Sequence, residues 1–401
     1  MITAYLQTMK TTQSNFLFIL FLCLLVSIGS LALVIYLPSM PAITKDFHTT
    51  ASATESTFTL YMFCFGISQL VYGPLSDLFG RKKIIIFAMI IYILSSITSA
   101  LSISINMLLI ARCFEGIGAG GINALARAVA NDLFTGKFLT KALSYTSIAA
   151  SLSVMLSPTF GGFIQEYSHW QTNFWILSIY TMLLLIATIF YFPNTVALTQ
   201  KSTSYLYYFY SQYKKVLTNR NFLCFALGAS IAFSVSSAYY TASPFIFQHR
   251  LYLTPSEYGM LFLFTSGCYI LGSFFTSYFS MNEYKRFWLG VFILNIAILI
   301  MLSFSFLDIF NIYAIVMPMM LAMFSISLIF ITGMTEAVKH FKSIAGTAAA
   351  MLGCLQICAA STTSGIMAHL PQETVLPLSL LLLCLSLVVA GIATFIKRHK
   401  E

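Results

Sequence analysis

The sequence contains few charged residues. Only 8% of its 401 residues are charged, with 21 lysines and arginines against 12 aspartates and glutamates. In soluble domains about a quarter of the residues are charged, so a soluble protein of this length is excluded. The 59% hydrophobic content excludes a disordered chain as well. The composition therefore predicts a protein whose solvent is lipid.

The sequence also lacks the patterns of a catalytic or cofactor site. It contains no C-x-x-C, no H-E-x-x-H, no phosphate-binding P-loop and no nucleophile–base arrangement. Its eight cysteines lie inside apolar runs, and its six histidines lie in loops or at span ends. The net charge of +9 is divided among short clusters between apolar runs, unlike a nucleic-acid-binding patch. We therefore expect no enzyme activity, no cofactor, no metal site and no nucleic-acid partner.

Apolar runs long enough to cross a bilayer recur along the whole chain. A transmembrane helix uses about 20 mainly apolar residues, and a polar break separates the first six runs from the last six. The sequence therefore predicts an all-α membrane protein with twelve transmembrane helices in two six-helix halves, residues 1–193 and 221–401, joined by a cytoplasmic linker at 194–220. The predicted spans are 15–37, 56–75, 84–101, 106–126, 142–164, 173–192, 221–243, 258–279, 287–306, 310–333, 344–366 and 374–396.

The basic residues are distributed unevenly between the two sets of loops. With the N-terminus inside, 17 of the 21 lysines and arginines fall in cytoplasmic segments, and only Lys45 and Arg250 fall in outer loops. The positive-inside rule then places both termini in the cytoplasm. The cytoplasmic set is Lys10, Arg81, Lys82, Lys83, Lys137, Lys141, Lys201, Lys214, Lys215, Arg220, Lys285, Arg286, Lys339, Lys342, Lys397, Arg398 and Lys400.

The linker mixes aromatic and basic residues between positions 205 and 215. This mixture predicts a short helix lying at the membrane interface. A solvated linker that merely contains tyrosines is the alternative.

The loop after span 2 reads G-P-L-S-D-L-F-G-R-K-K at 73–83. Gly73 and Gly80 permit tight turns and close helix approach. Asp77 can accept hydrogen bonds at a helix N-terminus, and Arg81 can pair with acids across the cytoplasmic face. A generic basic loop does not explain these residue types at these spacings.

Further strings extend the pattern over nearly the whole chain, and together with this loop they resemble one family. They are Y-L-P-S-M-P at 36–41, G-I-S-Q-L-V-Y-G-P-L-S-D at 66–77, R-A-x-x-x-D at 127–132, W-Q-T-N-F-W at 170–175, S-P-F-I-F-Q at 243–248 and A-G-T-A-A-A-M-L-G-C-L-Q at 345–356. The chain closely resembles the major facilitator superfamily, and within it the bicyclomycin/chloramphenicol-resistance type of drug:proton antiporter.

The resemblance implies the fold, location and gate. It implies the major facilitator fold in the bacterial inner membrane, and we expect a monomer. In this family the Asp–Arg pair, here Asp77 and Arg81, forms a cytoplasmic latch with an acid at the end of span 4. Asp132 stands at that acid's position.

Span 5 carries S-P-T-F-G-G at 157–162, which resembles the antiporter motif of the superfamily. Pro158 bends the helix, and Gly161 and Gly162 let another helix approach closely. Ser153 and Ser157 stand where glycines are usual, so the motif departs from the family pattern there. A kinked packing helix is the alternative interpretation.

Span 4 contains an ionisable pair at membrane depth. Arg112 and Glu115 are three residues apart and share a helix face, and ionisable residues in spans are functional hypotheses by default. Arg112 matches the family's span-4 arginine, which the resemblance implicates in proton transfer, whereas Glu115 stands where glutamine is more usual. Asn123 continues this face towards the cavity. A structural ion pair that holds span 4 in register is the alternative.

One departure from the family bears on proton coupling. Related transporters have an acid in span 1 at the position of Val34, and span 1 contains no acid here. We therefore expect Glu115, as the only deep acid, to take over that role, with Arg112 beside it. Tyr36, Gln69, Tyr239 and Tyr240 are expected to line the substrate cavity, although Tyr239 also suits an interfacial anchor.

The function expected from this sequence is secondary active export by alternating access. Protons entering would drive out small amphipathic compounds such as drugs, a secreted metabolite or a siderophore. An uncoupled facilitator or importer of a small metabolite is the alternative, which Val34 leaves open. A membrane enzyme or channel predicts polar clusters or repeated pore-lining charges, and the sequence contains neither.

Overall fold

The computed structural model describes residues 12–193, 204–339, 341, 344–371 and 374–396. Within these ranges the chain forms helices and no strand, and twelve helices are long and apolar enough to cross a membrane. The predicted all-α fold with twelve spans is therefore confirmed. Lys10, Lys201, Lys342, Lys397, Arg398 and Lys400 of the predicted cytoplasmic set lie outside the described residues, as do residues 194–203 of the linker.

We label the twelve long helices α1 to α12, in the order of the predicted spans. They are α1 Thr12–Val34, α2 Ala51–Phe79, α3 Arg81–Ala100, α4 Ile105–Leu133, α5 Gly136–Tyr167, α6 Trp170–Tyr191, α7 Arg220–Phe245, α8 Pro255–Tyr278, α9 Glu283–Phe306, α10 Ile312–Lys339, α11 Ala345–Ala368 and α12 Leu376–Phe395. Several extend beyond the predicted limits because capping residues, and not the edges of apolar runs, begin them. Thr50, for example, caps α2 through a 3.2 Å bond from the Ala53 amide.

Helix α1 breaks before it reaches the end of the bundle. It ends at Val34, and the chain continues through a 3₁₀ turn at Leu37–Ser39 into a short helix at Met40–Asp46. Pro38 explains the break, since proline supplies no amide donor for the preceding turn. Tyr36 lies in the turn between the two helical segments, with φ of −93° and ψ of −1°.

Because successive long helices alternate in direction, the basic loops collect at one end of the bundle. We call this end, which carries Arg81–Lys83, Lys214, Lys215, Arg220, Lys285 and Arg286, the basic end. The other end is called the opposite end. Which of them faces the cytoplasm stays a prediction.

The two halves meet along two helix pairs, α2 with α11 and α5 with α8. Glycine permits the closest contact at the α5–α8 crossing. A Cβ at Gly162 would lie 2.3 Å from the carbonyl oxygen of Pro255, and one at Gly259 would lie 2.4 Å from that of Pro158. No larger residue fits at either position without separating the helices.

Hydrogen bonds between the halves close the opposite end. Gln248 Nε2 donates to the Pro38 carbonyl at 2.9 Å, and Thr159 Oγ1 donates to the Gly259 carbonyl at 2.9 Å. In the α2–α11 pair, the Ser361 hydroxyl donates to the Thr59 carbonyl at 2.9 Å.

These hydrogen bonds between the halves all lie towards the opposite end. Towards the basic end a cavity separates the halves, and its wall includes Arg127, Ser147, Met334 and Ala349. The bundle is therefore closed at the opposite end, and the cavity extends towards the basic end.

The linker contains a helix at Ser204–Leu217, as predicted, which packs on the basic end of the second half. Val216 is buried beside Phe222 and Met351, and the Thr347 hydroxyl donates to Gln212 Oε1 at 2.7 Å. The side chains at 205–210 lie outside the described set, so its predicted position at the membrane interface stays a prediction.

Candidate functional site: a cavity between the two halves

A cavity lies between the halves, from mid-bundle towards the basic end. Its empty volume is about 1400 Å³, including its mouth. The first half contributes Gly29, Ser30, Leu33, Tyr61, Met62, Phe65, Gln69, Asn123, Arg127, Ser147, Ala150, Ser151 and Val154 to its wall. The second half contributes Phe233, Ser236, Tyr240, Ser266, Tyr269, Ile270, Met323, Phe330, Met334, Ala349, Gly353, Gln356 and Ile357.

The structure brings three of the five predicted cavity residues to this wall, namely Gln69, Asn123 and Tyr240. Tyr36 lies apart from the wall in the break after α1, and its hydroxyl bonds that of Thr57 at 3.1 Å. Tyr239 is fully buried among aromatic rings, with the Phe262 ring centroid 6.4 Å away. Successive positions of a helix face different directions, so Tyr240 reaches the cavity while Tyr239 points into the packed second half.

Arg112 and Glu115 form a buried ion pair behind the cavity wall. Arg112 Nη1 donates to Glu115 Oε2 at 2.8 Å, and both side chains are 0% exposed. The guanidinium lies 4.0 Å from the ring centroid of Tyr61 and 4.4 Å from that of Tyr36. Since Tyr61 lines the cavity, its ring separates the ion pair from the cavity space.

The ion pair also holds the broken end of α1. Arg112 Nη2 donates to the Ala32 carbonyl at 3.1 Å, an acceptor near the point where α1 ends. A single buried guanidinium thus connects α4, the end of α1 and the aromatic wall of the cavity.

Glu115 faces α3 with its second oxygen. Oε1 makes no hydrogen bond of standard geometry to a described residue, and Tyr92 and Ser96 of α3 lie beside the carboxylate. Removing one partner of a buried ion pair strongly destabilises a protein, so the pair can serve as a structural ion pair that holds span 4 in register. Its carboxylate can equally serve as a proton site, and the geometry fits both interpretations made from sequence.

The predicted latch residues lie together at the basic end. Arg81 pairs with Asp77 one turn before it, and its Nε donates to Asp132 Oδ2 at the end of α4 at 3.0 Å. Gly80, with φ of 94°, makes the turn that places Arg81 at the start of α3. Arg81 Nη1 also donates to the Gly73 carbonyl at 3.5 Å. All these groups belong to the first half, so the cluster ties α2, α3 and α4 together.

The second half has a related cluster without the glycines. Arg286 Nε donates to Thr332 Oγ1 at 2.8 Å, and its Nη1 donates to the Thr276 carbonyl at 3.1 Å. One turn further along α10, Glu336 pairs with Lys339 at 2.9 Å. Each half thus has an arginine that joins three helices at the basic end.

The span-5 motif lies at the α5–α8 crossing near the opposite end. Pro158 and Gly162 contact Gly259 and Pro255 through the close approach described above, while Gly161 faces the Ile35 carbonyl in the break after α1. The motif therefore joins the first half to the second where the bundle is closed.

Two residues of interest are absent from the predicted site. Arg127 lines the cavity, although its string was used only to recognise the family. Its position four residues after Asn123, on one helix face, could have revealed it. Glu55 is 0% exposed in the first turns of α2, so a second acid besides Glu115 is fully buried, while the role expected of Glu115 stays a prediction. Helix α2 begins at Ala51, which brings Glu55 inside the helix rather than into the loop before it.

Comparison with known proteins agrees with this geometry. The family model of the Major Facilitator Superfamily matches residues 20–361. The chain belongs to the major facilitator superfamily. The predicted recognition is thus confirmed, and the protein is a multi-pass membrane transporter and not an enzyme.

Two curated relatives and one solved structure illustrate the likeness. The chain is 27% identical over 381 residues to multidrug resistance protein D of Escherichia coli, covering 94% of this chain and 95% of that one. It is 24% identical over 383 residues to a bicyclomycin resistance protein homolog of Haemophilus influenzae, covering 92% and 93%. The crystal structure of a D-xylose-proton symporter superposes with a TM-score of 0.75 at 14% identity, covering 94% and 97%, which shows the shared fold.

Proposed function

We propose that this transporter exports small amphipathic compounds from the cytoplasm in exchange for protons, by alternating access. The cavity between the halves carries the proposal, because hydrogen bonds between the halves close the opposite end while the cavity extends towards the basic end. The positive-inside rule assigns the basic end to the cytoplasm. The structure then corresponds to the state that loads substrate from inside.

The chemistry of the cavity supports an amphipathic substrate. Both halves contribute aromatic rings and methionines together with hydroxyl and amide groups to its wall, as in sites that orient a mainly apolar ligand by a few polar contacts. The two curated relatives are named for resistance to multiple drugs and to bicyclomycin, which supports export of such compounds.

In this proposal Glu115 and Arg112 couple proton movement to substrate movement. Protonation of Glu115 would neutralise the carboxylate and release the Arg112 guanidinium from its ion pair. Arg112 contacts both the end of α1 and the ring of Tyr61 in the cavity wall. Protonation of Glu115 would therefore alter the Arg112 contacts at the cavity wall and at the break after α1. This break packs against α5 through Ile35 and Gly161.

The test is transport by the purified chain in vesicles that contain a pH-sensitive dye. We expect substrate addition to move protons in the opposite direction, and Glu115→Gln to abolish this movement while substrate–substrate exchange continues. Glu257→Gln is the matched control, because Glu257 is an exposed capping residue of α8 whose role glutamine can fill. Undiminished coupling in Glu115→Gln would remove Glu115 from the mechanism.

The uncoupled facilitator stays the alternative, and two observations favour it. Val34 replaces the span-1 acid, and Glu115 is fully buried and absent from the cavity wall. A facilitator would move substrate at equal rates with and without a pH gradient and would release no protons. Glu55→Gln belongs in the same experiment, because loss of coupling in that variant alone would assign the proton to the other buried acid.

A further inference from the structure

The cavity wall carries charge of one sign. Arg127 is the only charged side chain among the described residues that line it, and the lining contains no aspartate or glutamate. Arg127 makes no ion pair with a described residue, unlike Arg112, whose charge is balanced by Glu115. Arg127 is partly buried near the basic end of α4, where a guanidinium that no anion balances is costly.

Polar groups around Arg127 form a donor-rich patch on the wall of the first half. Asn123 lies one turn earlier on the same face of α4, Ser147 and Ser151 face the cavity from α5, and Gln69 faces it from α2. Asn131 Nδ2 donates to the Arg127 carbonyl at 3.0 Å and so supports the α4 backbone at this point. The guanidinium, the two amides and the Ser151 hydroxyl are donors that match the oxygens of an anion, whereas the Ser147 hydroxyl donates to the Leu143 carbonyl at 2.9 Å.

The second half contributes most of the aromatic rings and thioethers of the wall, together with polar side chains such as Ser236, Ser266 and Gln356. Phe233 and Phe330 lie in contact, with ring centroids 5.7 Å apart, and Met323, Met334 and Ile270 continue this surface. The two walls thus differ in charge, because Arg127 lies on the first, whereas rings, thioethers and hydroxyl groups occur on both. Methionine side chains adapt to ligands of different shape.

We propose that the cavity selects amphiphiles that carry one anionic group, such as a carboxylate, sulfonate or phosphodiester, on an apolar body. Arg127 would bind the anion from the first half while the apolar body lies against Phe233 and Phe330 of the second. A cationic amphiphile would meet the Arg127 charge with no carboxylate of the cavity wall to offset it. This assignment rests on the proposed export function and names the substrate class of the same cavity.

The test is equilibrium binding to the purified full chain in detergent. Radiolabelled fusidate, a steroid carboxylate, is compared with its neutral methyl ester. We expect the unaltered protein to prefer the acid, and Arg127→Gln to lower the preference for acid over ester at least about tenfold. Arg127→Lys should retain part of the preference, since it keeps the charge but loses the bidentate geometry. Arg250→Gln, an exposed arginine at the opposite end, is the matched control and should leave the preference unchanged.

The outcomes are distinguishable. Equal affinity for acid and ester in the unaltered protein, or an unchanged preference in Arg127→Gln, would overturn the assignment. Monodisperse elution of Arg127→Gln separates a lost preference from a lost fold. Competition by phosphatidylglycerol but not phosphatidylcholine would identify a lipid phosphodiester as the anion, whereas no competition by either would identify a soluble anion. Binding in detergent needs no proton gradient, so a failure of proton coupling leaves this test intact.

Discussion

The α5–α8 crossing offers a direct way to disturb the closed opposite end. Gly259 packs on the backbone of Pro158, and a Cβ there would lie 2.4 Å from the Pro158 carbonyl oxygen. The contact is with backbone, so no side-chain rotation can relieve it. We therefore expect Gly259→Ala to destabilise the state in which this end is closed.

The size of the effect follows from the clash. Ordinary van der Waals contact begins at 3.4 Å, so the helices must separate by about 1 Å. Overpacking of this kind costs about 1–3 kcal/mol, and about 2 kcal/mol corresponds to a roughly thirtyfold shift between two states. If the other state separates α5 from α8 here, it does not contain the clash. Substitution should then shift the population towards opening of the opposite end.

Distances between spin labels measure this shift. Tyr167 at the end of α5 and Tyr252 before α8 are 82% and 85% exposed, so labelled cysteines at these positions in a background without native cysteines would report opening. Gly267→Ala is the matched control on the same helix, because a Cβ there meets no described atom within 4 Å. If Gly259→Ala gave the same distance distribution as Gly267→Ala, the crossing would not determine closure.

Two further predictions concern the first half. Arg112→Ala should reduce stability by about 3–5 kcal/mol, because it leaves the Glu115 carboxylate buried without its partner. Thermal unfolding in detergent should show the loss, and adding Glu115→Leu should recover part of it. Cys64 and Cys113 have their Sγ atoms 2.9 Å apart between α2 and α4. A membrane-permeant oxidant should join them in a bridge detectable by mass spectrometry, and transport should continue because both helices belong to one half.

The span count and family could be predicted from sequence because lipid imposes a strong local constraint. Every span must be apolar over its length, and the latch loop combines glycines, an acid and an arginine at fixed spacing. The break after Val34 was harder to predict from sequence, although Pro38 and Pro41 are compatible with irregular backbone there. Which helices meet across the halves could not be derived, since close contacts such as Gly162 with Pro255 join positions far apart in the chain.

Only part of the site could be predicted, because the direction in which a side chain points depends on how its helix packs in the bundle. Gln69, Asn123 and Tyr240 were identified by their polarity within apolar spans, and they do line the cavity. Tyr239 has the same chemistry as Tyr240 but faces packed protein. The direction in which each of two neighbouring tyrosines points depends on helix rotation within the bundle, which residue types alone do not determine.

The two arginines of α4 show why charge count alone could not locate the substrate site. Arg112 and Arg127 lie on the same helix, yet the first is balanced by Glu115 and separated from the cavity by Tyr61, while the second faces the cavity without an ion pair to a described residue. An arginine with a buried partner serves to hold helices together or to respond to a proton on that partner. An arginine without one is available to a ligand. We therefore assign proton coupling to Arg112 and Glu115, and substrate selection to Arg127. Substitution of Glu115 should change proton coupling without changing the preference for anionic ligands, and substitution of Arg127 should do the reverse.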